Sequence, residues 1–497
     1  MKDLLRGWPC TAQTRFLPVV LLALAAQVLH GQIGLIPVSE LAAPYLGVGE
    51  PGLYPGGSNQ PSGAHLVYGQ GRAAQVVPRA PDGSPSADGW IGLVAVGMSN
   101  TNQEWSRFER ESDRFARHAG RIVLVDAAQG GVDAPLMDDP ADSYWTLFDR
   151  RIATAGLTLD QVQVVWLKQS VLGEVTAGQF PVRMEALRAS LRGIVAVLAA
   201  RCPQLQLVFL SSRLYAGYSA TREPFAYETA FAFKGLIQDQ LDDVGGLGTG
   251  PWLGWGPYLW ADGPIARGDG LAWLAQDLEA DGVHPAPTGE WKVGGRLEDH
   301  FAGHPLAISW YPAPGDVALA LRDAEADAEV DPAQPDANFG SSTQLRLDGG
   351  RRVFLRFDLS GVSAPVLRAK LSLLVDAIDL VPASRLYAIA ETAWDEHTLT
   401  WNTAPPLPAV QLEQLTSWSR GAALGVDVTG AVQTALAGGA TRVAFALATP
   451  SAIAGPAPLH SREGGEAPRL VLTLDAPGSL PPIFVDSLET GDLERWQ

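Results

Sequence analysis

Ile91-Gly92-Leu93-Val94-Ala95-Val96-Gly97-Met98-Ser99-Asn100 decides how the first part of this chain is read. The continuous apolar run up to Gly97 predicts a strand buried on both faces. Ser99 follows directly, at the carboxyl end of that strand, where open parallel sheets gather their reactive residues. Far along the chain stands a second short segment, Asp281-Gly282-Val283-His284-Pro285. An early serine and a late Asp-x-x-His together supply a nucleophile, a base for its proton and a carboxylate to orient that base. Neither segment is specific alone, since a serine after a strand is commonly a helix cap or turn residue.

Working outward from Ser99, apolar runs and amphipathic stretches alternate over residues 89–305. Residues 91–96, 121–127, 162–167 and 205–210 read as strands. Residues 103–118, 182–200 and 225–241 read as helices. This alternation predicts an α/β three-layer sandwich with a parallel sheet covered on both faces. Residues 32–88 are rich in Gly, Pro and Ser and read as an irregular lead-in wrapping this domain, and residues 306–315 as a linker. From 316 to 475 the pattern changes to short strands separated by turns, at 353–357, 369–375, 385–390, 442–448 and 469–474, with one helix at 428–436. That pattern predicts an all-β jelly-roll sandwich. A Pro-rich stretch and an acidic tail occupy 476–497.

The 497 residues are 46% hydrophobic and 18% charged, the balance of a globular chain of two or three domains. Lys2, Arg6 and Arg15 precede an apolar run from Phe16 to Leu29. Residues 1–31 therefore read as a signal peptide, with an uncleaved N-terminal anchor as the alternative. The expected location is secreted, periplasmic or at the cell surface of a bacterium, with no membrane partner after cleavage. A net charge of −18 argues against a nucleic-acid partner, which needs clustered Lys and Arg. Cys10 and Cys202 are the sole cysteines. Once a leader carrying Cys10 is removed, no intrachain disulfide can form, and a cysteine-ligated zinc site is excluded. Asp126 and Asp133 lack the neighbours of a metal site, so no catalytic metal or cofactor is expected.

On the residues just quoted, the stretch 89–305 resembles the SGNH, or GDSL-type, hydrolase superfamily. Ser99 matches its nucleophile, and Asp281 and His284 match its closing pair. Gly130 or Gly131, in Ala127-Ala128-Gln129-Gly130-Gly131, matches the oxyanion-hole glycine, Gly131 being preferred. The chain departs from the family in two places. Gly-Met-Ser-Asn stands for Gly-Asp-Ser-Leu, and the oxyanion Asn is replaced by Trp166-Leu167-Lys168-Gln169-Ser170. The resemblance implies an oxyanion hole built from the amides of Ser99 and Gly131, with Gln169 offering an amide on a longer arm. Asn100, Arg213, Tyr215 and Trp260 are the candidate substrate contacts. The alternatives are a buried Arg213–Glu228 pair and, for Trp252, Trp255, Tyr258 and Trp260, core packing rather than sugar stacking.

Residues 316–475 resemble the DNRLRE-type module, a relative of carbohydrate-binding modules. The matching segments are Asp336 to Ser341, Arg352 to Ser360, Trp394-Asp395-Glu396 with Leu399-Thr400-Trp401, Asp427-Val428-Thr429, and Ser461-Arg462-Glu463 with Pro468-Arg469-Leu470. Arg352, Arg356 and Arg462 are candidates for sugar carboxylates. Internal salt bridges with Asp358, Glu396 or Glu463 are the alternative. The alternating acids Asp323, Glu325, Asp327, Glu329 and Asp331 would share one strand face. They suggest a structural Ca²⁺ or a solvated edge.

Together these resemblances imply a secreted serine esterase that removes acyl groups, acetyl foremost, from a polysaccharide or acylated carbohydrate. The alternative is a catalytically degenerate SGNH-fold protein that binds polysaccharide or has a structural role at the surface.

Overall fold

The structure, a computed structural model, describes residues 33–115, 117–172, 179–219, 222–312, 318–347, 350–376, 384–416, 418, 420–449 and 458–475. The expected leader and the terminal tail lie outside these residues.

The first domain is built on five strands: β1 (Ile91–Gly97), β2 (Ile122–Asp126), β3 (Val162–Lys168), β4 (Leu207–Leu210) and β5 (Trp252–Trp255). They run in the order β2-β1-β3-β4-β5, and every pair is parallel. All residues of β1, β2 and β3 are buried, as continuous apolar strands covered on both faces must be. The covering helices are α1 (Gly63–Ala73), α2 (Ser99–Arg114), α3 (Ala134–Met137), α4 (Ser143–Thr154), α5 (Val182–Arg201), α6 (Phe225–Leu241) and α7 (Pro287–Gly303). The α/β three-layer expectation is borne out. β5 is an addition, because its Trp-Leu-Gly-Trp sequence is short and carries a glycine.

The lead-in is more regular than expected. It contains α1, and Val38, Leu53 and Tyr54 belong to the first core. Trp255 donates from its ring to Leu53 O at 2.6 Å, and the Tyr54 hydroxyl accepts the Trp255 amide at 2.9 Å. The linker expected at 306–315 is corrected as well. Leu306, Trp310 and Tyr311 are buried in the same core, and the Tyr311 hydroxyl bonds Ser112 and Glu298. Large aromatics at a chain exit are better buried than exposed, so the first domain extends at least to Tyr311.

The second domain is antiparallel: β6 (Ala318–Asp323), β7 (Ala326–Val330), β8 (Gln344–Arg346), β9 (Arg352–Asp358), β10 (Val366–Leu374), β11 (Arg385–Ile389), β12 (Glu413–Gln414), β13 (Ala423–Asp427), β14 (Arg442–Ala448), β15 (Pro458–His460) and β16 (Arg469–Leu474), with helix α8 (Thr429–Ala437). One sheet has the order β13-β10-β16-β6, a second β12-β11-β14-β9-β7, and β15 pairs β8. The first two enclose a core of Leu, Val and Phe side chains that includes Leu355, Phe357, Leu371 and Phe445. The sandwich expectation therefore stands.

The acidic run behaves differently from its expectation. It is split by the β6–β7 turn, and Asp327, Glu329 and Asp331 are buried. Arginines neutralise it: Arg469 meets Asp323, Arg356 and Arg442 meet Glu325, Arg346 meets Glu329, and Arg351 meets Asp331. Glu329 and Asp331 are therefore paired with arginines rather than solvated. Among the described residues no group of three or more His, Cys, Asp or Glu side chains could hold a metal.

The two domains share a buried contact through α2. Lys370 of β10 places its ammonium 2.8 Å from Glu109 and 2.6 Å from Asp113. Asp113 also meets His118 at 3.1 Å. Further along, Glu466 receives Arg107 at 2.8 Å and Arg110 at 2.9 Å.

Candidate active site

The chain turns from β1 into α2 at Gly97 and Met98. Gly97 is needed there, because a Cβ would meet the Lys168 carbonyl and the Thr101 side chain at about 2.1–2.2 Å. Ser99 is the first residue of α2, so its amide and that of Asn100 lie in the turn that has no intrahelical acceptor. Those amides and the helix dipole make a region suited to developing negative charge.

His284 reaches Ser99 from the other end of the sequence. Ser99 Oγ lies 2.8 Å from His284 Nε2, and His284 Nδ1 lies 2.5 Å from Asp281 Oδ2. The second carboxylate oxygen of Asp281 accepts the amides of Val283 at 2.8 Å and His284 at 3.0 Å. Burial alone would raise the Asp281 carboxyl. The bonds from the His284 ring and from those two amides outweigh it and hold the group below the usual aspartate range.

The Asp281–His284 loop is braced from several sides. Glu279 N donates to His284 O at 2.8 Å, and Asn100 Nδ2 donates to Val283 O at 2.9 Å. Gly282 sits at φ +68, and a Cβ there would strike the backbone of Tyr218 and Ser219 at 2.5–2.6 Å. Asn100 thus ties the start of α2 to the histidine loop, a positioning role that its place as a substrate contact does not require.

Gly131 lies at φ +79 in the loop after β2, with Gln129 N donating to Gly97 O at 2.9 Å. Two buried side chains hold that loop. Asn102 Nδ2 donates to Ala128 O at 2.5 Å and to Asp126 at 3.0 Å, and Arg151 donates to Ala128 O and, at 2.7 Å, to Gln129 Oε1. Sequence reading missed Asn102 and Arg151; a polar residue one turn into the nucleophile helix was the available signal. Burial pushes the Asp126 carboxyl up to about 7, against the pull of Arg151 and Asn102.

Gln169 is placed away from the expected task. Its amide nitrogen donates to Val132 O at 3.1 Å and approaches Met137 Sδ at 2.8 Å, while its oxygen accepts the Ser170 amide at 2.7 Å. Those bonds fasten the loop after β3 to the loop after β2. The neighbouring Lys168 is buried and engaged by both oxygens of Glu104, an ion pair beneath the site that the sequence did not announce.

A small cavity of about 20 Å³ lies at the start of α2, lined by Met98, Asn100, Lys168, Gln169, Arg213 and Val283 among others. Arg213 is brought to the site, and the Glu228 partnership does not form. Glu228 is held by Arg183 and the Tyr45 hydroxyl instead. Tyr215 and Trp260 are fully buried, and the Trp260 ring donates to Glu223 at 2.8 Å. Both pack inside the first core. In the sandwich, Arg462 pairs with Glu396 and Glu463, and Arg356 with Glu325, so both serve internally. Arg352 stacks on the Trp401 ring at 4.2 Å.

The fold and site define an α/β domain with a Ser-His-Asp constellation at the carboxyl ends of its strands, followed by a β-sandwich. Residues 319–474 match carbohydrate-binding module family 96, in line with the resemblance read from the sequence. No curated protein sequence matches the chain. Among solved structures, the chain is similar to an acetyl xylan esterase, AlAXEase, at 13% identity and TM-score 0.26, over 42% of this chain and 98% of that one. A DUF4886 family protein from Bacteroides uniformis follows at 11% identity and TM-score 0.24, over 44% and 84%. A gut microbial diltiazem-metabolizing enzyme aligns at 11% identity and TM-score 0.26, over 69% and 73%. Likeness at this level assigns neither activity nor substrate.

Proposed function

We propose that the chain is an exported serine esterase acting on an acylated polysaccharide, with acetyl as the acyl group. The observation that carries this reading is the unbroken run of hydrogen bonds from Ser99 Oγ through His284 to Asp281. Ser99 attacks the ester carbonyl as His284 Nε2 takes its proton, and Asp281 fixes the ring so that Nδ1 keeps its hydrogen. The tetrahedral oxyanion is stabilised by the Ser99 amide at the helix start and the Gly131 amide. His284 then protonates the departing sugar oxygen, and water repeats the sequence to release the acid. The match of residues 319–474 supports a carbohydrate as the carrier of that ester. Among the described residues no helix is long and apolar enough to cross a membrane.

The engagement of the Gln169 amide by Val132 O favours a second reading, a polysaccharide-binding protein without turnover. A fluorophosphonate probe separates the two. Labelling of the wild type and not of Ser99→Ala, together with acetate release from acetylated xylan or p-nitrophenyl acetate, supports the esterase. Absence of labelling, or equal hydrolysis by Ser99→Ala, rejects it.

A further inference from the structure

The helix that begins with Ser99 carries a second lined space. Ser99, Gln103, Ser106, Arg107 and Arg110 recur at intervals of three and four, so they share one face of α2. Ser99 opens that face at the catalytic site, and the rest of it turns toward the sandwich. At a rise of 1.5 Å per residue, Gln103 lies about 6 Å and Arg107 about 12 Å beyond Ser99 along the helix axis.

Between this face and the second domain lies a cavity of about 300 Å³. That is at the lower end of the size range of small-ligand sites, about 300–1,000 Å³, and domain interfaces are where such sites concentrate. The histidine loop and α7 contribute Glu279 and Glu290, and the sandwich contributes Asp376, Arg420, His460 and Glu466. Glu279 belongs to the catalytic loop itself, through its amide bond to His284 O. The cavity therefore borders the histidine loop through Glu279, and the second domain completes its wall.

Its charges are largely matched. Glu466 takes Arg107 and Arg110, Glu279 takes Arg420 at 2.8 Å and Gln103 at 3.2 Å, and Asp376 accepts from Gln344 at 2.5 Å. Glu290 stands 3.8 Å from Arg107, an ion pair too long for a hydrogen bond. A wall of alternating guanidinium donors and carboxylate acceptors suits a neutral polyhydroxylated ligand, whose hydroxyls both donate and accept. The wall sets the four carboxylates of Glu279, Glu290, Asp376 and Glu466 against the three guanidinium groups of Arg107, Arg110 and Arg420, so a polyuronate would add negative charge where carboxylates already outnumber them.

We propose that this interdomain cavity is a subsite for a neutral sugar unit of the same polysaccharide whose ester is presented to Ser99. The inference rests on the polysaccharide-esterase reading and specifies its substrate as a neutral chain that spans both domains.

The test uses the full chain carrying Ser99→Ala, titrated calorimetrically with xylohexaose, mannohexaose, cellohexaose and an alginate hexamer. At least one neutral hexamer should bind, and the alginate hexamer at least tenfold more weakly. Arg420→Ala and Glu290→Ala should each weaken neutral binding at least tenfold. Melting temperatures check their folding, and Glu290→Gln replaces Glu290→Ala if the latter is unfolded. No binding by any neutral hexamer, binding unchanged by the substitutions, or tighter binding of alginate overturns the subsite. Fluorophosphonate labelling of otherwise wild-type protein keeps the two failures apart. A labelled Ser99 without these binding effects rejects the subsite alone, and an unlabelled Ser99 with them rejects the esterase alone.

Discussion

At Ser99 the backbone passes from strand to helix through Gly97 and Met98, so the Ser99 hydroxyl, its amide and the helix dipole coincide. Replacing Asp281 with Asn would leave the loop's shape while removing the acceptor that fixes the His284 tautomer. The expected fall in kcat is about 10⁴-fold, measured on p-nitrophenyl acetate. Gln169 is the informative contrast. A true oxyanion donor is worth about 100- to 1000-fold, but the Gln169 amide is bound to Val132 O. Gln169→Ala should therefore lower kcat less than tenfold and act mainly on stability. A hundredfold loss of kcat in a normally folded variant would return Gln169 to the oxyanion hole. Ser99, Asp281 and His284 were legible in the sequence because their chemistry and order are unusual in combination. The surroundings of Tyr215, Trp260 and Gln169 were not, because side-chain identity says nothing of direction, and all three are buried.

Among the elements, the Asp281–His284 loop depends on Gly282. An alanine there would be held at φ +68 and against the Tyr218 backbone. The cost is about 1–3 kcal/mol for the backbone conformation alone, and the collision adds to it. Gly282→Ala should lower the melting temperature and weaken fluorophosphonate labelling together. On α7, burial raises the Glu290 carboxyl to about 7, although Arg107 pulls it down. A raised carboxyl adds stability below the ordinary glutamate pKa, and that stability is lost as pH rises through about 7. Glu290→Gln removes this titration, so its melting temperature should gain on the parent between pH 5 and pH 8. A constant gap across that range would contradict the assignment. Strand and helix legibility followed the same physics. Long periodic segments such as α5 and α6 were predicted within a residue or two. The strand β5 was not, because its Trp-Leu-Gly-Trp sequence is short and carries a glycine, and β6 and β7 were read as one acidic strand face because the alternating acids hide the turn between them.

For the whole molecule, the contact at Lys370 matters most. Glu109 and Asp113 are buried beside it. Burial would raise the Asp113 carboxyl, yet Lys370 and His118 together hold it well below the aspartate range. Removing one partner of a buried ion pair typically costs about 3–5 kcal/mol, because the other charge is left without compensation. Lys370→Met should lose about that much in urea denaturation, with both domains unfolding in one transition. Two separate transitions in the wild type would show that the contact does not couple them. The division near 306–316 was readable from the change of pattern, but the burial of Trp310 and Tyr311 and the charge pairing across the interface depend on residues hundreds of positions apart.

The ion pair at Lys370 also bears on engineering. Modules of this kind invite exchange as interchangeable cassettes, to redirect an enzyme toward another material. Here a transplanted module would have to present an ammonium against Glu109 and Asp113 and a carboxylate against Arg107 and Arg110. A graft chosen for its ligand alone would leave stranded charges on the helix that carries the nucleophile, and retargeting this chain means redesigning that seam first.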